Sequence, residues 1–381
     1  MNCKKNKLDK KWFLYLISPF ILTSCYEDKK IEELRFVDEY LVVSIPPSSA
    51  TAVNLSDFQL EFPRRASFPP GDQGSSHEII FDPISRDAMW VTSPKYDSIA
   101  RIALDGSRSY FDLEVGSEPH GEEFDRQGNL VLSLEGSKQI ALFDPRAGQI
   151  IKRWDIGVDP HGLSLGHDGS TIWFTGKTAN TIGRLTSDGR VTNFGLPTEG
   201  SLPIYVARGP DGNMWATELL GNKIARITFD GSIAEFTIPT SDSRPIAIVP
   251  DPLGRGMWFS QEAGSNVAFI DRNGFITEYP IPRSQPNLIL GGLAFDTTGN
   301  LWVQQYLNQS SPLPHAPDSI VKIDKAILST TPQHLTLSNF TFYTTPTANS
   351  VLHRIVQGPD GNMWYTALKA DRVGRVQLTS P

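Results

Sequence analysis

A unit of about 42 residues recurs along this chain, and that recurrence restricts its fold more than any other feature. Its marker is a Trp that follows a turn, at Trp90, Trp173, Trp215, Trp258, Trp302 and Trp364, with Val131 in its place in the second copy. Successive spacings are 41, 42, 42, 43, 44 and 62 residues. A period of this length built from short strands predicts a β-propeller, in which each unit buries its apolar faces only against its neighbours. One copy shows the grammar. Ile204-Tyr205-Val206-Ala207 is a short apolar strand, Pro210-Asp211-Gly212-Asn213 a turn, and Met214-Trp215-Ala216-Thr217 a second strand. Gly221-Asn222 then turns into Lys223-Ile224-Ala225-Arg226-Ile227, and Asp230-Gly231 turns into an outer strand over 232–238. The equivalent last turn is Asp105-Gly106, Asp188-Gly189 and Asn273-Gly274 in other copies, because tight hairpin turns need residues that accept positive φ.

The expected fold is therefore all-β, a seven-bladed β-propeller of four-stranded antiparallel blades. The last unit stops after three strands near Pro381, and Phe58-Gln59-Leu60-Glu61-Phe62-Pro63 has the character of the outer strand Ala234-Glu235-Phe236-Thr237-Ile238-Pro239. Residues 58–63 are thus expected to complete the final blade and close the ring, leaving no open sheet edge. The 62-residue spacing predicts an insertion at about 308–339 in blade six, rich in Ser, Pro and Thr and read as surface loops.

Ahead of the repeats, Lys4, Lys5, Lys7, Lys10 and Lys11 precede an apolar run from Trp12 to Leu22 and then Leu22-Thr23-Ser24-Cys25. A charged head, a short apolar segment and a small-residue cleavage site read as a secretory signal, too short to span a bilayer permanently. Leu22-Thr23-Ser24-Cys25 resembles the lipobox of bacterial lipoproteins, which implies cleavage before Cys25 and its lipidation. The expected domains are a lipoprotein signal peptide over 1–24, a lipidated tether over 25–57 and the propeller over 58–381. That predicts a monomer at the bacterial cell envelope, lipid-anchored to the membrane and facing the periplasm or exterior. With the signal's five lysines and one aspartate removed, the formal charge moves from −7 to −11. So acidic a chain with no basic cluster is not expected to bind nucleic acid. With Cys3 lost and Cys25 lipidated, no cysteine is left for a disulfide, so core burial must stabilise the fold.

Units such as Gly209-Pro210-Asp211-Gly212-Asn213-Met214-Trp215, followed by Asn222-Lys223-Ile224-Ala225-Arg226-Ile227 and Glu235-Phe236-Thr237-Ile238-Pro239, resemble the streptogramin B lyase (virginiamycin B lyase) family of seven-bladed propellers. The similarity covers roughly residues 58 to 381. Enzymes of that family linearise a cyclic depsipeptide antibiotic by elimination across its ester, without water, using Mg²⁺. The resemblance implies a catalytic His in a Glu-Pro-His-Gly turn, a Glu beyond the next strand, and a His at the same turn of the preceding blade. Glu118-Pro119-His120-Gly121, Glu135 and His77 match those elements. Two departures stand out: Val131-Leu132 replaces the family's Trp-Phe pair, and the constellation sits in the second blade of the chain rather than the last.

These residue types suit elimination. Withdrawal of a proton α to a carbonyl needs a base active near neutral pH, which His supplies. The developing enolate needs positive charge, which Mg²⁺ held by Glu118 and Glu135 would provide, while His77 orients the substrate or donates to the leaving oxygen. Alignment of the first strands puts His353, His77, His120 and His161 at one repeated position, with Ile204, Ile246 and Gly291 in the other blades. Four histidines from four circularly adjacent blades should line one side of the mouth, with His161 and His353 as pocket walls. The alternative for each of these two is a His that simply bonds a neighbouring backbone group. Two functions remain open: a Mg-dependent lyase cleaving an ester or lactone, and a non-catalytic propeller that binds a small molecule or a protein partner at the envelope.

Overall fold

Each repeat folds as its turn signals dictate. The computed structural model describes residues 34–37, 40–43, 55–60, 75–308 and 317–378. They form seven four-stranded antiparallel sheets and one separate two-stranded hairpin. The unit read in detail above becomes strands Pro203–Arg208, Met214–Glu218, Lys223–Ile227 and Ile233–Thr237, paired in sequence order. Gly106, Gly189, Gly231 and Gly274 of the last hairpin turns adopt φ of +88°, +87°, +96° and +90°. Innermost strands of adjacent blades touch all the way round, so the ring is closed about a central axis.

The core lies between blades. All six repeat tryptophans are at most 2% exposed. Trp215, for example, packs on Ile248, Met257 and Phe259 of the following blade. Its indole N–H donates to Asp211 at 3.0 Å in the turn before it, and the Arg226 guanidinium lies 5.5 Å above the ring. The Pro-Asp-Gly-Asn turn is thus also the partner of the buried indole. Removing such a side chain costs roughly 3–5 kcal/mol.

Closure by an N-terminal strand is as expected, in a different register. Leu55–Gln59 pairs with Arg372–Val376, Leu55 facing Val376 and Gln59 facing Arg372. The expected span was 58–63. Phe58 sits opposite Val373, the ladder position that Phe236 holds opposite Ile224, so the strand is displaced by two residues. Leu60 then takes the role of Ile238: it is buried, and its N–H donates to the Asp371 carbonyl at 2.7 Å as that of Ile238 does to Asn222. A slip of two keeps every side chain on its own face, so alternation cannot detect it.

Blade six corrects the second boundary. Its third strand, Pro317–Ile323, lies inside the expected insertion. Of the extra residues, 309–316 lie outside the described residues, and 324–339 form a connection that carries three short 3₁₀ turns. Ile320, Val321 and Ile323 are buried, but the Ser- and Pro-rich surroundings hide this strand from a compositional reading.

Residues 1–24, expected to be a signal segment, and Cys25 lie outside the described residues. Within the expected tether, Leu34–Val37 pairs with Tyr40–Val43 as the two-stranded hairpin, and the closing strand starts at Leu55 rather than after 57. Among the described residues no helix is long and apolar enough to cross a membrane.

Candidate functional site

His120, His161 and His353 owe their position to a defect found in six of the seven blades, while His77 lies just ahead of its blade's first strand, Ile79–Phe81. Between the first and second strands the register slips, for example between Pro119 and Glu122 and between Pro160 and Leu163. The bulge leaves a backbone N–H and C=O without ladder partners, which would be costly if unpaired and buried. A side chain two residues past the Trp position satisfies both. Ser133 Oγ accepts from Gly121 N–H at 2.6 Å in its own blade and donates to the His161 carbonyl at 2.7 Å in the next. Thr92 does the same for Glu78 N–H and the His120 carbonyl, and Thr366 for Arg354 N–H and the His77 carbonyl. Each bulge thereby turns its first residue toward the axis and ties it to the neighbouring blade. The glycine after the histidine allows that approach: a Cβ on Gly121 would lie 2.7 Å from the His161 carbonyl oxygen.

The four histidines at this position converge on one another. Ring centroids are 3.8 Å apart for His353 and His77, 3.6 Å for His77 and His120, and 3.5 Å for His120 and His161. His77, His120 and His161 are buried, and His353 nearly so. Burial is the main cause that holds all four well below the ordinary value of 6.5. Nearby cations and the other imidazoles act in the same direction; for His77 they are Arg354 and Lys177, and for His120 they are His161 and His77. The arc is therefore neutral at pH 7, with lone pairs available as base or ligand.

A carboxylate stands at each end of the arc. Glu135 Oε2 is 2.9 Å from His161 Nδ1 and 3.9 Å from His120 Nε2, and its Oε1 is 3.3 Å from Lys177 Nζ. Glu78 Oε1 is 3.2 Å from His77 Nδ1 and 4.0 Å from His353 Nε2, and Arg354 Nε pairs with Glu78 at 2.8 Å. Glu118 stays at the rim, exposed, at φ +48°, with its N–H bonded to Asp97 at 2.8 Å. Burial, then Glu135 and Asp97, raise its carboxyl above the ordinary value of 4.5.

The expected set thus separates. His77, His120, His161, His353 and Glu135 meet in one place, and Glu118 lies beside them at the rim. Sequence reasoning missed Glu78, Arg354 and Lys177 as partners. Glu78 and Arg354 each directly follow an arc histidine, and a charged residue at the start of or inside an axial strand was the available signal. Lys177 occupies the same register position as Glu135 one blade later, four past the Trp position. Equal register in adjacent blades is what brings them together.

Deeper along the axis, Glu122 is buried and neither carboxylate oxygen has a hydrogen-bond partner. Burial, then Glu78, push its carboxyl well above 4.5. A raised folded-state pKa contributes stability below the unfolded value that is lost as pH rises through the folded one. Glu122→Gln is therefore expected to stabilise the fold by about 1–3 kcal/mol at neutral pH and to lose that advantage in acid. Urea unfolding at pH 7 and at about pH 4 checks this; equal midpoints at pH 7 would refute it.

The sequence profile of the virginiamycin B lyase family matches residues 65–312. A streptogramin B lyase structure superposes with a TM-score of 0.70 at 25% identity, covering 85% of this chain and 97% of that one. Virginiamycin B lyase from Staphylococcus aureus gives 0.69 at 25% identity, covering 85% and 99%. A catalytically inactive histidine-to-alanine variant of the S. aureus enzyme with quinupristin gives 0.68, with the same identity and coverage. No curated protein sequence matches the chain.

Proposed function

The chain belongs to the virginiamycin B lyase family, and from that premise we propose that it is a carbon–oxygen lyase that opens an ester or lactone ring by elimination. One observation carries the reading: His77 and His120, from different blades, lie with ring centroids 3.6 Å apart, and Glu135 reaches the same cluster. In this mechanism neutral His120 takes the proton from the carbon α to a carbonyl. The electron pair passes through an enolate, the Cβ–O bond breaks, and a carboxylate leaves as a C=C bond forms. His77, with Glu78 3.2 Å from its Nδ1, orients the substrate carbonyl or donates to the leaving oxygen.

The family resemblance implies Mg²⁺, and the rim residues fit it. Burial first, and then the negative charge of Glu135 and Asp97 crowded at the mouth, raise the Glu118 carboxyl, and oxygen donors are what this hard ion takes. Glu118 and Glu135 would hold the ion, which would supply positive charge to the enolate oxygen.

A second reading, a non-catalytic propeller binding a small molecule or an envelope protein, draws support from the Lys177–Glu135 ion pair, which already engages the carboxylate. Incubation of the full-length protein with a type B streptogramin and Mg²⁺ separates the two. Elimination gives a linear product of unchanged mass, hydrolysis one heavier by a water, and a binding module gives neither. Lipidation at Cys25 and an envelope location form part of the proposal. Metabolic labelling with a fatty acid is expected to mark the protein and to fail in Cys25→Ser; equal labelling of both would remove the anchor from the proposal.

A further inference from the structure

The histidine arc is richer in nitrogen than proton abstraction requires. Three of its ring nitrogens, His77 Nδ1, His120 Nδ1 and His353 Nε2, are buried without a protein hydrogen-bond partner. Two groups of three side chains each bring one ligand atom apiece to within 4.8 Å of one another: His77, Glu78 and His120, and His120, Glu135 and His161. In the first group, Glu78 is already paired with Arg354 at 2.8 Å. In the second, Lys177 takes only Oε1 of Glu135, which leaves Oε2 facing both imidazoles.

We infer that His120 Nε2, His161 Nδ1 and Glu135 Oε2 form a binding site for a borderline-soft divalent transition ion, of which Zn²⁺ is the type, with the fourth coordination position open. Tetrahedral Zn²⁺ with bonds of about 2.0–2.1 Å needs ligand atoms about 3.3 Å apart. The observed separations of 2.9 Å and 3.9 Å from Glu135 Oε2 lie on either side of that value. Two imidazoles and one carboxylate match the donor preference of such an ion and not that of Mg²⁺, which takes oxygen and keeps its water. Neutral imidazole is the ligating form. Lys177, on the other carboxylate oxygen, fixes the orientation of Glu135 as an outer partner of a metal ligand does. Binding at this site does not depend on the lyase reading. If both hold, the ion and the substrate proton compete for the same His120 lone pair, and Zn²⁺ inhibits the elimination.

The test uses the tag-free full-length protein stripped with a chelator, with Zn²⁺ affinity read by competition against a chromogenic chelator. One Zn²⁺ per chain is expected, not displaced by a large excess of Mg²⁺. His161→Ala and Glu135→Gln should each weaken it by about 100-fold or more. Thermal melts establish that the variants are folded. Should one of them not fold, the other decides, together with Co²⁺ loaded into the parent, which is expected to show the intense visible bands of tetrahedral cobalt. Cys3→Ser with Cys25→Ser is expected to retain the site. Absent binding in the folded parent, unchanged affinity in the folded His161 and Glu135 variants, or loss of binding with the cysteines would each overturn the inference.

Discussion

His120→Ala is expected to lower the rate of streptogramin ring opening by about 10²–10⁴-fold, the usual contribution of a positioned general base, with KM little changed. The base acts only on the proton in flight, so its loss appears in kcat rather than in ground-state binding. The pH profile adds a second readout. Burial, reinforced by His161 and His77, holds His120 well below 6.5, so the residue is deprotonated at pH 7 and remains so as pH falls through 6.5. The acid limb of kcat/KM is therefore expected below pH 6.5, on the acid side of an exposed histidine. The cost of that depression is a weaker base, which the Mg²⁺ proposed at the rim would offset. A limb centred at or above 6.5, or a variant as active as the parent, would remove His120 from the role of base. Melting curves on both proteins separate lost chemistry from lost folding.

Deletion of residues 55–59 is expected to open the ring. That strand supplies the outer edge of the seventh blade through a five-residue ladder with Arg372–Val376. Asp57 also ties it to Arg372 at 2.9 Å and to Thr347 of blade six at 2.7 Å. A net contribution of about 0.5–1.5 kcal/mol per backbone hydrogen bond puts the direct loss at roughly 3–5 kcal/mol. The indirect effect is larger, because the bared edge of Arg372–Val376 becomes a template for pairing with another molecule. The deletion variant should melt several degrees lower and self-associate in proportion to concentration, as light scattering would show. A monomeric variant with an unchanged melting point would mean that closure is maintained by inter-blade packing alone. The arc spans the first, second, third and seventh blades, so an opened ring should also lose the cluster.

The two outcomes differ in how far they were legible beforehand. The alignment of His353, His77, His120 and His161 needed only the period, since equal register in successive blades means equal height along the axis. Glu135 was legible through the resemblance. Glu78 and Arg354 were not: each directly follows a histidine, Glu78 just ahead of an axial strand and Arg354 within one, and which neighbour its charge meets depends on blade-to-blade rotation. Lys177 occupies the register position of Glu135 one blade later, but that it is the cation paired with that carboxylate follows only from the contact between blades. The hydroxyls of Thr92, Ser133 and Thr366 recur two residues past the Trp position, a regular signal that was overlooked. Their function, bridging the bulge of one blade to the carbonyl of the next, exists only once the blades stand side by side.

The sequence alone determined the repeat, the seven blades, the Trp core and the common height of the four histidines, because each follows from spacing and local turn chemistry. Tertiary structure decided how deep those histidines lie, which carboxylate serves which ring, and that Lys177 caps Glu135. It also chose the register of the closing strand between two alternatives two residues apart. The reason is the same in each case: periodicity specifies which face and which height a residue occupies. Distances across the axis are set by how closely adjacent blades approach, and at Gly121 and Gly162 that approach is governed by backbone contacts between strands about 40 residues apart in the chain.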